Sequence, residues 1–236
     1  FSFNLLPIFL FALAINPQNI NWIKSCILFV CWHLLIYPAS NGFNSYFDKD
    51  KKSIAGIKYP PEVTVELYYL SIALDFLAIL LAFLINILTA ISMLIYGLIS
   101  KAYSHPSIRL KKRPFISWIF VAIFQGYFVF LVTYCGVHEI SVSKLTSSII
   151  QIPALLTTMM LLSAYPITQV YQHNEDSERG DLTLSLKLGI IGTFHFTAIV
   201  FVITAFCYIS YFFFYHDSQT MLVYLIFMIP LLIYYI

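Results

Sequence analysis

The sequence predicts an all-α integral membrane protein, built as a bundle of about eight transmembrane helices. Of its 236 residues, 60% are hydrophobic and only 10% are charged. The mean hydropathy is +0.84. Repeated apolar stretches approach the roughly 20 residues that a helix needs to cross about 30 Å of hydrocarbon. A net charge of +2 without a basic tail gives no indication of nucleic-acid binding.

The helices follow from the apolar segments between polar or turn-forming residues. In chain order the segments run approximately over 1–15, 20–40, 64–84, 86–104, 115–135, 146–171, 188–214 and 219–236. Pro60-Pro61 and Asn86 read as turns, and Gly180 as a helix stop. The chain starts at Phe1, and its last segment has no polar stop. We therefore expect one transmembrane domain over 1–236, truncated at one or both ends.

The basic residues predict the orientation of the bundle. Because successive loops alternate sides, the connections after the second, fourth and sixth helices share one face of the membrane. That face carries 11 of the 13 basic residues: Lys49, Lys51, Lys52, Lys58, Lys101, Arg109, Lys111, Lys112, Arg113, Arg179 and Lys187. The opposite face keeps Lys24 and Lys144. The positive-inside rule makes the first face cytoplasmic.

Two acidic segments, 41–53 and 169–181, lie where helices leave the membrane on that face. Ionisable groups at membrane depth are costly, so such clusters are functional candidates. Asn44 and Asp48 are four residues apart, and so are Gln172 and Asp176, which places each pair on one face of a continuing helix. Carboxylate and amide oxygens suit Mg²⁺, which takes only one or two carboxylates when a phosphate supplies other ligands.

A third segment, 101–114, holds five basic residues and follows the fourth helix. Arg109 can grip phosphate oxygens with two parallel hydrogen bonds, whereas lysines such as Lys111 act as point charges. Tyr103 and Ser104 add hydroxyl groups at the head of the segment. The alternative is a juxtamembrane basic run that orients the protein and contacts anionic lipid.

Asp75 lies in the middle of the third helix, an expensive position for a carboxylate. It either lines a cavity and assists substrate or proton handling, or it bonds to a neighbouring helix. His33 and His195 read as groups that hydrogen-bond between helices.

Three motifs resemble, in order and in the number of helices between them, the signature regions of the UbiA-type intramembrane prenyltransferase superfamily. They are Asn44-x-x-x-Asp48, Tyr103-Ser104-x-Pro106-x-x-Arg109-Leu-Lys-x-Arg-Pro114 and Asp176-x-x-x-Gly180-x-x-Thr183-Leu-x-x-x-Leu-Gly189. The resemblance implies a helical bundle, typically of nine membrane helices, around a central cavity. It also implies a membrane enzyme that transfers an isoprenyl group from a prenyl diphosphate, bound through Mg²⁺, to an aromatic or other lipophilic acceptor.

The resemblance and the chemistry of the residues together give a candidate site. The metal-ligand candidates are Asn44, Asp48, Asp50, Glu175 and Asp176. The substrate-binding candidates are Asn44, Tyr103, Ser104, Arg109, Lys111 and Gln172, and the catalytic candidates are Asp48, Asp176 and Arg109. Metal and basic side chains would neutralise the leaving diphosphate, and Tyr and Phe faces would shelter an allylic cation from water.

The motifs also depart from the family pattern. Ser45 and Lys52 stand where the family commonly has Asp, and so does Gln172. Asp50 would then act with a shifted geometry, and Glu175, about 100° around a helix from Asp176, would take part if the helix unwinds there. The thinned acid set leaves two alternatives: a catalytically impaired relative that binds prenyl diphosphate or a partner, and a secondary transporter. A transporter would place its polar groups near the middle of the helices, not at one end.

Overall fold

The computed structural model describes residues 5–49, 61–216, 219–223 and 225–226. Within these ranges the chain is helical and contains no β-strand, which confirms the predicted class. Seven helices are described in full: α1 Leu6–Ala14, α2 Trp22–Asp48, α3 Val65–Ala82, α4 Ile87–Ser104, α5 Pro114–His138, α6 Ser148–Arg179 and α7 Leu184–Tyr215. An eighth, α8, is described over 219–223 and 225–226, and the rest of the predicted final helix lies outside the described residues.

Six of these helices, α2 to α7, are long and apolar enough to cross a membrane. They pack around a core whose members come from α1 to α6, and they expose other apolar side chains outwards. Fully buried core residues include Ile8, Trp32, Met93, Val129 and Phe130. Exposed ones include Trp22, Leu84, Leu98, Ile191 and Phe206. An apolar outer surface of this kind is suited to lipid, in which an outward-facing Phe or Ile carries no hydration penalty.

A π-helical or 3₁₀-helical segment interrupts each of three long helices. α2 contains a π-helical segment, Val30–Ile36, and α5 contains another, Ile123–Phe128. α6 changes to a 3₁₀-helix over Tyr165–Gln172 before it resumes as an α-helix at His173. Pro166 stands at the start of that 3₁₀ segment, where it removes a backbone donor from the α-helical pattern. Gln172 is therefore the N-cap of the α-helical turn that carries Asp176, and the uninterrupted α-helix expected through both residues is not observed.

α7 begins at Leu184, four residues before the predicted start at 188. The Thr183 hydroxyl caps the helix by accepting a hydrogen bond from the Leu186 amide at 3.3 Å. Hydropathy missed this turn because Ser185 and Lys187 are polar. Gly189 then kinks the helix, because its backbone has a non-helical conformation with φ of +71°. Residues with a side chain rarely adopt this value of φ.

Gly126 permits a close approach of the backbones of α5 and α6. A Cβ atom at this position would lie 2.8 Å from the backbone nitrogen and the Cα of Thr158. Small residues at such crossings let two helix backbones approach and gain dispersion contacts that lipid cannot replace. The π-helical segment of α5 carries this glycine, so the irregular turn and the tight crossing coincide.

We expect Gly126→Ala to destabilise the bundle by roughly 1–3 kcal/mol, because the added methyl group collides with backbone that cannot move alone. The measurement is the thermal unfolding temperature of the purified protein in detergent. Gly192→Ala is the matched control: its Cβ would meet Leu188 at an ordinary 3.5 Å. The control should unfold at or slightly above the wild-type temperature. Equal unfolding temperatures for the two variants would contradict this account of the crossing.

Candidate active site

The three polar segments meet at one end of the bundle. Asp48 ends α2, Arg109 and Lys111 lie in the loop between α4 and α5, and Asp176 and Asp181 flank the end of α6. Their side chains form one ionic cluster, although 133 positions separate Asp48 from Asp181 along the chain (181 − 48). The prediction that both acidic segments and the basic segment share one face is thereby confirmed.

Asp181 and Arg109 form the best-defined contact of the cluster. The Arg109 guanidinium donates from Nε to Asp181 Oδ1 and from Nη2 to Asp181 Oδ2, both at 2.7 Å. Two parallel charge-assisted hydrogen bonds of this length are stronger and more directional than a single one. Arg109 Nη2 also lies 3.4 Å from Asp48 Oδ1, so the guanidinium joins the end of α2 to the start of α7.

The other two cations complete the cluster. Lys111 donates to Asp48 Oδ1 and lies 3.4 Å from Asp181 Oδ2. Arg179 binds Asp176 Oδ1 at 2.6 Å, reaches Asp181 Oδ2 at 3.3 Å and donates to the Asp48 backbone carbonyl at 3.4 Å. Three carboxylates thus face three cations, and the cluster itself carries no net charge.

Left-handed backbone turns direct these side chains into the cluster. Lys49 follows Asp48 with φ of +51°, and Arg109 itself has φ of +40°, which is uncommon for residues other than glycine. Gly180, with φ of +70°, ends α6 and lets the Asp181 amide donate to the Asp176 carbonyl at 2.8 Å. Strain of this kind persists where surrounding contacts hold it, and it is concentrated at functional sites.

Burial makes the pairing necessary. Asp181 is fully buried, and the exposed fractions are 3% for Asp176, 4% for Lys111 and 7% for Asp48. An unpaired charge in such surroundings would cost several kcal/mol. Burial by itself would raise the pKa of Asp181, but hydrogen bonds from Arg109 and the charge on Lys111 outweigh it and lower the pKa. The hydrogen bonds to Asp181 correspondingly raise the pKa of Arg109 above its usual value.

A layer of neutral polar groups adjoins the cluster. Ser104 donates to Asn44 Oδ1, and its backbone carbonyl accepts from Arg109 Nη1 at 3.4 Å. The hydroxyl groups of Tyr103 and Tyr165 hydrogen-bond to each other. The Tyr165 hydroxyl also accepts from Gln169 Nε2 at 3.2 Å. The predicted residues Asn44, Tyr103 and Ser104 therefore lie beside the ionic cluster as hydrogen-bonding groups.

The remaining site candidates have different positions. Glu175 is buried next to Asp176 on the last turn of α6, which is helical here and not unwound. Gln172 is half-buried at the junction between the 3₁₀ segment and that turn. Asp50 lies outside the described residues. The metal and substrate roles assigned to these three residues stay predictions.

Sequence reasoning missed four contributors: Arg179 and Asp181 in the cluster, and Tyr165 and Gln169 beside it. Asp181 belongs to the second acidic segment, but the sequence interpretation of Gly180 as a helix stop assigned no role to the carboxylate that follows it. The signal that was available is charge: Arg179 and Asp181 are opposite charges two residues apart at a membrane exit. Tyr165 and Gln169 offered no comparable signal among the many aromatic and polar residues near helix ends.

The donor set fits a divalent cation held jointly with a substrate, and not a closed protein cage. Asp48 and Asp176 bring hard carboxylate oxygens from both acidic segments into one cluster, and Mg²⁺ needs only one or two such ligands beside phosphate oxygens. Among the described residues, no three His, Cys, Asp or Glu side chains are arranged to hold a metal ion. Basic partners face both carboxylates, so a cation would have to exchange with them.

A second buried ion pair lies deeper in the bundle. Lys101 on α4 pairs with Asp75 on α3, and the Lys101 ammonium also lies 5.1 Å from the centroid of the Phe43 ring. The Asp75 carboxylate lies against Gly97, where a Cβ would approach it to 3.5 Å. Of the two readings of Asp75, the bond to a neighbouring helix is the one observed.

A pocket of about 370 Å³ lies at the opposite end of the bundle, between the end of α5 and the start of α6. Lys144 is the single charged residue among its lining side chains, which include Tyr134, Ile140 and Ile150. Its chemistry is unrelated to that of the ionic cluster, and we assign the site to the cluster.

The fold and the cluster together define a helical membrane protein whose acidic and basic side chains lie together at one end of an apolar bundle. The family model for the UbiA prenyltransferase family matches residues 4–236, so the chain belongs to that family, whose members are membrane prenyltransferases that are generally Mg²⁺-dependent. No curated protein and no solved structure matches the chain.

We expect Lys111→Met to destabilise the protein by up to about 3 kcal/mol, because it leaves Asp48 buried without its closest cation. The loss stays at the low end of the range for broken buried pairs because Arg109 still faces Asp48. Unfolding temperatures in detergent measure the effect. Lys112→Met removes the same charge from the exposed neighbouring position and should leave stability within about 0.5 kcal/mol of wild type. A similar loss in both variants would argue against the buried pair as the cause.

Proposed function

We propose that this protein transfers an isoprenyl group from a prenyl diphosphate to an aromatic or other lipophilic acceptor. The observation that carries the proposal is the buried ionic cluster at one end of an apolar bundle. Such a site offers cations to a diphosphate headgroup while the prenyl chain stays among apolar helices. Membership of the UbiA prenyltransferase family supports the same reaction class.

The basic side chains bind the diphosphate in this proposal. Arg109 and Lys111 exchange part of their contacts with Asp48 for contacts with the diphosphate oxygens. The diphosphate group attracts them more strongly because it carries more negative charge than a carboxylate. Ser104, Tyr103, Asn44 and Gln172 supply hydrogen bonds around the headgroup. The long 3.4 Å contact between Arg109 and Asp48 is the weakest of the Arg109 side-chain ion pairs, and so the easiest to exchange.

Asp48 and Asp176 would hold Mg²⁺, with Asn44, Asp50 and Glu175 as further candidate ligands. When bound, the ion neutralises charge that develops on the leaving diphosphate. The protein's own residues do the rest: Arg109 and Lys111 stabilise the same charge in surroundings of low dielectric constant.

The proposed reaction breaks one bond of the prenyl diphosphate and forms one bond to the acceptor. The allylic C–O bond breaks, its electron pair leaves with the diphosphate, a nucleophilic carbon or heteroatom of the acceptor bonds to the allylic carbon, and the acceptor loses a proton. Aromatic side chains near the cluster, such as Tyr46, Phe47 and Tyr68, pack against one another and would help to exclude water from the site. Exclusion of water prevents hydrolysis of the allylic cation.

We further propose that the site faces the cytoplasm. By sequence, the connections on its side of the membrane and the helix ends that adjoin them carry 11 of the 13 basic residues, and such segments are retained on the cytoplasmic side. The prenyl diphosphate would therefore be taken up from that side.

A catalytically impaired relative is the second candidate. Two observations favour it: each buried aspartate of the cluster already has a basic partner, and Gln172 and Ser45 replace commonly acidic positions. Such a protein would bind a prenyl diphosphate without releasing diphosphate.

The test is diphosphate release by the full chain in nanodiscs, with geranyl, farnesyl and geranylgeranyl diphosphates, with and without Mg²⁺ and an aromatic acceptor mixture. We expect release that depends on both Mg²⁺ and the acceptor, and mass spectrometry of the product then identifies the acceptor. Binding of the prenyl diphosphate without release by folded protein would establish the impaired relative instead.

We expect Asp48→Asn to lower kcat/KM by at least about 100-fold in this assay, since it removes a carboxylate from the proposed metal and leaving-group site. Glu66→Gln is the control, because Glu66 is an exposed acid at the start of α3, at the same end of the bundle. It should keep wild-type kinetics. Full Mg²⁺-dependent turnover by folded Asp48→Asn would remove Asp48 from the mechanism.

A further inference from the structure

Asp181 is fully buried and contacts all three cations of the ionic cluster. It pairs with Arg109 through two hydrogen bonds of 2.7 Å, and it lies 3.4 Å from Lys111 and 3.3 Å from Arg179. Without a central anion, three cations this close together in a buried site would repel one another. The carboxylate therefore makes the grouping of the cations possible.

Asp181 binds one particular edge of the Arg109 guanidinium, and this leaves the other edge for a ligand. A guanidinium has two faces that can each make two parallel hydrogen bonds: a side-on face, Nε with one Nη, and an end-on face, Nη1 with Nη2. Asp181 occupies the side-on face. The end-on face makes only long contacts, from Nη1 to the Ser104 carbonyl and from Nη2 to Asp48, both at 3.4 Å. An incoming phosphate can replace these weak contacts without disturbing the bond to Asp181.

The backbone fixes Asp181 from both sides. Its amide donates to the Asp176 carbonyl at 2.8 Å, and its carbonyl accepts from the Thr183 amide at 3.1 Å. Gly180 makes the first of these bonds possible through its left-handed conformation. A carboxylate held in this way can hold Arg109 in turn, which saves the entropy of ordering a long side chain when the ligand binds.

We propose that Asp181 is a positioning residue for diphosphate recognition: it holds Arg109 side-on, gathers Lys111 and Arg179 beside it, and so presents the end-on face of Arg109 to the diphosphate of the prenyl substrate. This inference rests on the proposed function. It adds a residue that itself does not touch the substrate, and whose negative charge would, on distance alone, oppose an anion.

Because Asp181 and the substrate are both negatively charged, the two explanations predict opposite effects of Asp181→Asn on anion binding. If Asp181 were only a nearby negative charge, Asp181→Asn would tighten binding of an anion, because one repulsive charge is lost. If Asp181 positions Arg109, the same change weakens binding, because an amide can accept only one of the two guanidinium hydrogen bonds and its NH₂ group repels the other donor. We expect the second result, with an affinity for inorganic pyrophosphate about tenfold lower, equivalent to about 1.4 kcal/mol.

The experiment is calorimetric titration of inorganic pyrophosphate into the full chain in nanodiscs, once with EDTA and once with Mg²⁺. Glu178→Gln is the matched control: it removes one negative charge from an exposed side chain three residues before Asp181. The control should bind pyrophosphate within about twofold of wild type or slightly more tightly, since exposed charges are well screened. Equal or tighter binding by folded Asp181→Asn would overturn the proposal.

A double-mutant cycle separates positioning from general damage. An Arg109→Lys background lacks the guanidinium group that makes two parallel hydrogen bonds to Asp181. We therefore expect Asp181→Asn to change pyrophosphate affinity much less there than in wild type. In turnover assays, Asp181→Asn should raise KM for the prenyl diphosphate, whereas partial unfolding would lower apparent kcat and leave KM unchanged. Additive effects on affinity, or a change in kcat alone, would contradict the positioning role.

Two further outcomes keep the inference distinct from the proposed function. Absence of pyrophosphate and prenyl diphosphate binding by wild-type protein, under both metal conditions, overturns both proposals. Wild-type binding that Asp181→Asn leaves intact overturns this inference alone. If Asp181→Asn does not fold, Asp181→Glu gives the same test, because it keeps the charge but displaces the carboxylate, and with it the Arg109 guanidinium, by one methylene. Weaker pyrophosphate binding by Asp181→Glu supports positioning, and unchanged binding contradicts it.

Discussion

The neutralisation of three buried carboxylates by one buried lysine and two half-buried arginines is the interaction on which the polar end of this bundle depends. Asp48, Asp176 and Asp181 lie in surroundings that tolerate a charge only when it is paired. Arg109, Lys111 and Arg179 provide the pairs, and each comes from a different part of the chain than at least one of its partners. The cluster therefore fixes how the ends of α2, α4 and α6 sit relative to one another.

This requirement accounts for backbone features that would otherwise be costly. The left-handed conformation of Arg109 points a guanidinium into the cluster, and Gly180 turns the chain so that Asp181 follows Asp176 into the same space. The strain at Arg109 is offset by two short hydrogen bonds to Asp181. Deeper in the bundle, Lys101 and Asp75 repeat the same solution with one pair of charges.

The balance of charge also bears on the family's metal chemistry. In the proposed function, a diphosphate and a divalent cation would exchange partners with this site: the basic groups would move towards phosphate oxygens, and the acidic groups would become available to the metal. A thinner set of acids than the family commonly has is compatible with such an exchange, because the protein cations share the neutralisation of the leaving group with the metal.

The sequence by itself determined the membrane class, both ends of α3, α4, α5 and α7 to within four residues, and the meeting of three polar segments on one face, whereas α2 and α6 each end eight residues later than predicted. These follow from hydropathy and from the alternation of loops, which are local or additive properties. Tertiary structure decided which charges pair. Asp181 becomes central because the glycine turn at Gly180 carries it into the cluster, and Gln172 ends a 3₁₀ segment just before the α-helical turn of Asp176. Spacing along the chain does not encode either change of the backbone. Pair formation between residues 60 to 130 positions apart depends on packing of the whole bundle, and no short-range pattern carries that information.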